Sequence, residues 1–349
     1  MEESLKFPEA LCLCANRNLI MKKSLIILFL SINSFLISTK IIAQDFILSQ
    51  PWSSPTFVGP SFAGLSGSRA YMTYRNQWAS LKGSQTLLAS FDHYYHPLRS
   101  SFGAVLSYTS YGGNMLSQTE FEVQYNFVAK ITDEWFFRPG VEIGFFYRAM
   151  DPSKLIFVDQ IALDGSIVPT SSFNPDVTSV LRLDASVSFL VYNEYLFVGA
   201  GADRLVPNDI AFTDAETETK IKLNAYAAGK IPFNRGHGKY DSYDDLTIAG
   251  LFQTQGQYQQ FDIDFLYHHN PFMAGIGYRG IPFISSEGLS NTDALKFALG
   301  YSFENNITVS YSYDVSLSSL IDVSGGSHEI VLSYKFNQKS PNDRSFFCY

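Results

Sequence analysis

From about residue 69 to residue 337, apolar and polar side chains alternate one for one in segments of roughly nine to twelve residues. In 119–129 one face reads Phe121, Val123, Tyr125, Phe127 and the other Glu120, Glu122, Gln124, Asn126. In 260–268 Phe261, Ile263, Phe265 and Tyr267 stand against Gln260, Asp262, Asp264 and His268. In 305–314 Ile307, Val309, Tyr311 and Tyr313 oppose Thr308, Ser310, Ser312 and Asp314. The last segment sets Ile330, Leu332, Tyr334 and Phe336 against Glu329, Ser333 and Lys335. A side-chain period of two is the mark of a strand, because successive Cβ atoms leave a pleated backbone on opposite sides. The pattern predicts about fourteen strands, at 69–79, 85–95, 101–109, 117–129, 134–148, 180–191, 194–203, 219–230, 245–255, 258–268, 271–280, 293–302, 305–315 and 328–337.

Alternation alone also fits a soluble sandwich, whose strands average about five to six residues. These segments are long enough to cross a bilayer at a tilt, and their apolar faces are rich in Phe and Tyr near the segment ends. The predicted fold is therefore all-β, a transmembrane antiparallel β-barrel of the outer membrane with its polar face lining a wet lumen. Connections support an orientation. Those after even strands are tight, as at Ile131-Thr132-Asp133, Tyr192-Asn193-Glu194, Asn270 and Glu304, and suit periplasmic turns. Those after odd strands are longer, as in 149–179, 204–218, 281–292 and 316–327, and suit external loops. One long connection, 231–244 with Gly236 and Gly238, falls on the short-turn side and breaks the rule.

Outside the barrel the pattern changes. Residues 44–68 hold Pro51, Pro55 and Pro60 with Gly59, Gly64 and Gly67, too many breakers for a strand, and are expected to plug the lumen or lie at its periplasmic mouth. Met21, Lys22 and Lys23 precede an apolar stretch from Leu25 to Ile37, and Ile41-Ile42-Ala43 follows. That arrangement predicts a signal peptide over 21–43, cleaved after Ala43, with 1–20 an upstream extension. The stretch falls short of the roughly 20 residues a spanning helix needs. Residues 338–349 form a polar tail.

Composition sharpens this picture. Aromatics make up 15% of residues, with 30 Phe and 21 Tyr, while charged residues are only 17%, below the roughly 25% of soluble domains. The formal charge is -8; residues 1–43 hold five basic and three acidic groups, so the exported chain carries about -10. That sign argues against nucleic acid as a partner. Cys12 and Cys14 precede the predicted cleavage point, which leaves Cys348 alone and excludes a disulfide framework or a cysteine metal site.

Candidate chemistry is sparse. His93, His96, His268 and His269 stand without a metal-ligand spacing. Glu120, Glu122, Glu142, Asp184, Asp262 and Asp264, with Arg138, Arg148, Arg182, Lys222 and Lys296, fall on lumen-facing positions, where opposed charges brace and solvate a barrel interior. No phosphate loop, serine elbow or zinc motif occurs. The expected protein has no catalytic residues, no cofactor and no metal. The outward row ending in Tyr334 and Phe336 resembles the terminal signal read by barrel-assembly machinery, and the lipid bilayer itself is an expected partner.

Five segments, in order, resemble one family. Tyr74-Arg75-Asn76-Gln77-Trp78 on the first strand is similar to the signature of the PorP/SprF proteins of the type IX secretion and gliding system of Bacteroidota. Pro60-Ser61-Phe62-Ala63-Gly64 resembles their Asn-Pro-Ala-Phe-Ala-Gly segment, with Gly59 in place of the Asn and Ser61 in place of the Ala. Asp92-His93-Tyr94 resembles their second strand, Lys154-Leu155-Ile156-Phe157-Val158-Asp159-Gln160-Ile161 the segment after the fifth, and Ser327 to Phe336 the last strand. The resemblance implies a non-enzymatic outer-membrane component needed to export or anchor a large secreted, adhesin-like protein through its C-terminal domain. It also implies partners among the type IX translocon and its periplasmic components. A passive or hydrophobic-solute channel is the alternative, because a barrel of about fourteen strands has an interior to be filled or left conducting.

Overall fold

The computed structural model describes residues 45–162, 164–169, 171, 178–209, 212, 219–235, 243–281, 292–318 and 321–336. The signal peptide, the upstream extension and the tail 338–349 lie outside these residues. Fifteen strand segments run β1 Arg69–Gln77, β2 Ser84–Tyr95, β3 Ser100–Tyr111, β4 Leu116–Phe127, β5 Ala129–Lys130, β6 Phe136–Met150, β7 Ser179–Tyr192, β8 Leu196–Asp203, β9 Lys222–Arg235, β10 Tyr243–Gln255, β11 Tyr258–His269, β12 Phe272–Gly280, β13 Thr292–Ser302, β14 Ile307–Ser316 and β15 Ser327–Lys335. β5 continues β4 after a break at Val128, and both pair with β6, so the wall has fourteen staves. Each stave pairs antiparallel with its chain neighbour. The first and last pair across Arg69↔Lys335 to Gln77↔Ser327, which closes the sheet into a barrel.

Period two sets the two faces of the wall. On β4 Phe121, Val123, Tyr125 and Phe127 point out and Gln118, Glu120, Gln124 and Asn126 are buried inside; β11, β14 and β15 follow the same rule. No described helix is long and apolar enough to cross a membrane, and the crossing is made by strands. The outward faces form an apolar belt including Met72, Leu106, Ile143, Leu183, Ile276 and Leu299. At one end of the belt aromatic rings meet across neighbouring strands, Phe102 with Tyr125 at 5.5 Å and Phe272 with Tyr301 at 5.2 Å. Such a girdle sits where lipid gives way to water.

The connections sort by end in part: the longest lie at one end, which they share with the short links 112–115 and 256–257. At one end the links are 96–99, 131–135, 193–195, 236–242, 270–271 and 303–306; the long links 151–178 and 204–221 lie at the other. The expected misfit at 231–244 narrows to 236–242, because β9 runs on to Arg235 and β10 resumes at Tyr243. Ile231 and Phe233 remain outward and exposed, so a strand continues where the turn-rich composition pointed to a loop.

The lumen is not simply wet. Residues 45–68 lie inside it, running from near the long-loop end, where Asp45 meets Arg204, to the short-turn end, where Ser68 meets His93 and β1 begins. Pro51, Pro55 and Pro60 each open a single 3-10 turn, where their fixed φ is accommodated and the missing N–H costs nothing. This plug carries its own apolar residues. Trp52, Val58, Phe62 and Leu65 pack against Leu190, Tyr192, Phe197, Tyr226, Ala228 and Leu251 on the inner wall. Phe46 and Leu48 pack against Leu88 and Val105. The inward face of β7 to β10 is therefore partly apolar, because it faces packed chain and not water. Each fully buried side chain of this kind stabilises by roughly 1.5–3 kcal/mol, as an upper bound.

Candidate functional site

The plug is held by three groups of polar contacts, and some of the residues singled out in the sequence belong to one of them. The first lies toward the long-loop end. Arg75, Arg279 and Lys296 are buried among Asp262, Asp264, Asp314 and Glu329. Arg75 pairs with Asp314 at 3.0 Å and Glu329 at 3.4 Å; Arg279 pairs with Asp262 at 2.9 Å; Lys296 reaches Asp262 and Asp264, each at 2.8 Å. Three cations thus face four carboxylates, and the plug supplies the missing positive charge as dipoles. The backbone N–H groups of Ser49 and Gln50 donate to the two oxygens of Glu329 at 2.6 and 2.8 Å. Trp52 Nε1 donates to Asp264 at 3.1 Å, and Arg279 donates to the Leu48 carbonyl at 2.6 Å. A buried carboxylate surplus is tolerable only with such donors in place.

The second group centres on Arg204, which binds Asp45 of the plug at 3.1 Å and Asp184 at 2.9 Å, and also pairs with Glu120. Burial would raise the Asp45 carboxyl, but Arg204, with Lys222 and Arg148 behind it, outweighs it and holds the group below its ordinary value of 3.8.

The third group clamps the plug near the short-turn end. Asn126 donates to the carbonyls of Pro60 at 2.8 Å and Ala63 at 2.9 Å. Arg138 donates to the Ala63 carbonyl, to Ser101 Oγ at 2.7 Å and to Asn126 Oδ1 at 2.8 Å. Asp92 accepts from the Gly64 N–H at 2.6 Å, and Ser188 accepts from the Ser61 N–H at 2.9 Å. Two glycines let the chains approach. A Cβ on Gly140 would lie 2.5 Å from the Ser61 nitrogen and 2.7 Å from the Pro60 carbonyl carbon. Gly64 adopts φ +68°, a conformation other residues rarely hold.

The sequence-flagged residues therefore divide. Pro60, Phe62, Ala63 and Gly64 meet Asp92 in the short-turn clamp. Arg75 sits at the other end of β1, in the long-loop cluster. Tyr74 points outward, Asn76 and Gln77 pair with His328 and Ser327, and Trp78 turns the chain with φ 52°. Lys154, Phe157, Asp159 and Gln160 lie apart, in the long link after β6. There Gln160 accepts from the Phe157 N–H at 2.8 Å, Asp159 accepts from Ser171, and Lys154 pairs with Asp151 at 3.4 Å. Tyr334 and Phe336 face outward with ring centroids 4.8 Å apart, and Phe336 meets Phe91 across the closing seam at 5.8 Å.

Glu329, Arg279, Arg204 and Asp45 did not stand out in the sequence as site residues. Their inward parity was readable, but not their common neighbour, the plug. His268 and His269 each face a carboxylate, Asp245 at 3.2 Å and Asp244 at 2.6 Å. Among the described residues no group of three or more His, Cys, Asp or Glu side chains is placed to hold a metal ion.

Beside the plug a cavity of about 900 Å³ remains, reaching the short-turn end at Asn270-Pro271 and Phe303–Asn306. Its deep wall is apolar, with Trp52 of the plug and Phe197, Ala228, Ala249, Leu266 and Val331 of the barrel.

A model of the family described as type IX secretion system membrane protein PorP/SprF matches residues 41–334. The chain belongs to the PorP/SprF family. A PorP/SprF barrel of this architecture is an outer-membrane protein, since closed strand barrels of this kind are the outer-membrane solution to spanning a bilayer. No functionally curated protein matches the chain. Among solved structures, a KdgM porin is similar at 8% identity and TM-score 0.35, over 77% of this chain and 99% of its own. A triple mutant of Rhodopseudomonas blastica porin is similar at 11% identity and TM-score 0.34, over 77% and 98%.

Proposed function

We propose that this PorP/SprF barrel is a non-enzymatic docking component of type IX secretion. In this reading it exports or anchors one large, adhesin-like surface protein through that protein's C-terminal domain, together with the translocon and its periplasmic partners. The plugged lumen supports docking over conduction. A segment fixed by buried ion pairs at one end and a backbone clamp at the other occupies the path a solute would take. Short turns face the periplasm in barrels of this class, so the open cavity beside the plug faces the compartment from which secreted proteins arrive. The test is deletion of the chain followed by a comparison of surface and culture-fluid proteins. Loss of one large protein from the surface is expected. An unchanged surface, combined with steady conductance of the purified barrel in planar bilayers, would instead establish the channel.

A further inference from the structure

The last strand ends where the cavity beside the plug opens. Lys335, which closes β15, lines the cavity, and the Phe336 N–H donates to the Ser68 carbonyl at 2.9 Å. The chain therefore leaves the wall beside the cavity rim. Residues 337–349 follow, outside the described residues, and their sequence has three parts. Asn337-Gln338-Lys339 is polar. Ser340-Pro341-Asn342-Asp343 puts proline and asparagine in the second and third places of a β-turn, which favours a reversal of direction. Arg344 and Ser345 then lead into Phe346-Phe347-Cys348-Tyr349. Three aromatic rings together on a polar tail are unfavourable in water, and an apolar hollow within reach gives them cover.

We infer that residues 346–349 fold back into this cavity, so that a second segment of the barrel's own chain closes the short-turn mouth beside the plug. The hollow suits the rings. Its volume is about 900 Å³, and pockets of roughly 300–1,000 Å³ enclose a drug-sized group. Ala228 and Ala249 are direct partners across β9 and β10, and two such small side chains leave space in the wall that also carries Trp52, Phe197 and Leu266. The lengths agree as well. Residues 337–339 lead outward by at most about 11 Å, and 344–349 return by about 21 Å, which carries the segment about 10 Å past the rim. Val331, on the deep wall, stands about 13 Å along β15 from Lys335, and the Tyr349 side chain spans the remainder. Charge agrees too, because the returning chain brings Arg344 past Glu304, which is exposed at the cavity mouth. The inference stands apart from the docking reading; a protein arriving from the periplasm would meet this segment first.

The experiment uses the full chain carrying Cys12→Ser and Cys14→Ser, produced in an outer membrane and purified in detergent, so that Cys348 is its single cysteine. The probe is a bulky polyethylene-glycol maleimide, whose attachment to Cys348 shifts the band on a gel. Labelling is expected to be about tenfold or more slower in the folded barrel than after unfolding in urea, since a covered thiol reacts only when its segment opens. Ala249→Trp fills the hollow and is expected to restore fast labelling, with heat-dependent gel mobility reporting that the barrel is folded. Ala228→Trp, from the facing strand, does the same and serves if the first variant does not fold. Equally fast labelling of the folded and unfolded parent chain would overturn the inference. So would slow labelling that survives a filled hollow, which places the rings at the detergent or bilayer surface instead.

Discussion

Glu329→Gln isolates the contribution of the charge on one plug-binding carboxylate. The substitution keeps the shape of a fully buried side chain, yet an amide has one acceptor oxygen where the carboxylate has two. One of the two N–H bonds from Ser49 and Gln50, at 2.6 and 2.8 Å, is therefore lost, and an amide N–H is turned toward another N–H. The pairing with Arg75 at 3.4 Å goes as well. Breaking a buried pair costs about 3–5 kcal/mol, but Arg75 keeps Asp314 at 3.0 Å, so the net figure is about 2–4 kcal/mol. At about 1.4 kcal/mol per tenfold, the population with residues 45–54 released rises roughly thirty- to a thousandfold. Hydrogen–deuterium exchange of the peptide holding Ser49 and Gln50 reads that ratio directly, because local opening sets the exchange rate. Peptides from β6 and β7 serve as the control and are expected to keep their protection. A double-mutant cycle with Arg75→Leu is expected to be strongly non-additive, since the two residues share one network. Unchanged exchange at Ser49 and Gln50 would refute the idea that Glu329 holds the plug.

Further outcomes follow from other contacts. Gly140→Ala forces a methyl group to within 2.5 Å of plug backbone and is expected to destabilise the folded barrel by about 1–3 kcal/mol, read as a lower melting temperature in a heat-dependent gel shift. Asp45 is held below its ordinary 3.8, so its contribution is complete above that pH and is lost as the pH falls through the lowered value. Acid below about pH 4 should therefore loosen the long-loop end of the plug, and Asp45→Asn should abolish that pH dependence in exchange measurements on residues 45–48. Replacing Tyr334 and Phe336 with Ala removes two rings that meet edge to face beside the closing seam and is expected to lower the amount of barrel in the outer membrane, measured by fractionation.

The wall was legible in the sequence because its rule is local. Inside or outside follows from parity along one strand, and the predicted spans fall within about two residues of the strands at nearly every boundary. The end of β9 escaped because Pro232 and Gly236 mimic a turn, although Pro232 is accommodated where the register shifts beside Asp245. The site was less legible for the opposite reason. Ser49 and Glu329 are 280 residues apart, and Arg75 and Asp314 are 239 apart. No periodicity announces which inward charge meets which. Prolines excluded a strand for residues 44–68 and so marked the segment as different. Its place in the lumen emerges only once fourteen staves set the width of the space it fills.

Arg75 and Glu329 are also direct partners in the register between the first strand and the last. The contact that seats the plug therefore lies on the seam where the barrel closes. A nascent barrel whose ends have not met lacks the carboxylate–guanidinium pair that receives Ser49 and Gln50. One whose ends have met around an empty lumen leaves Glu329 without its donors. Closure and filling are thus coupled through one pair of residues, at the joint that turns the sheet into a barrel.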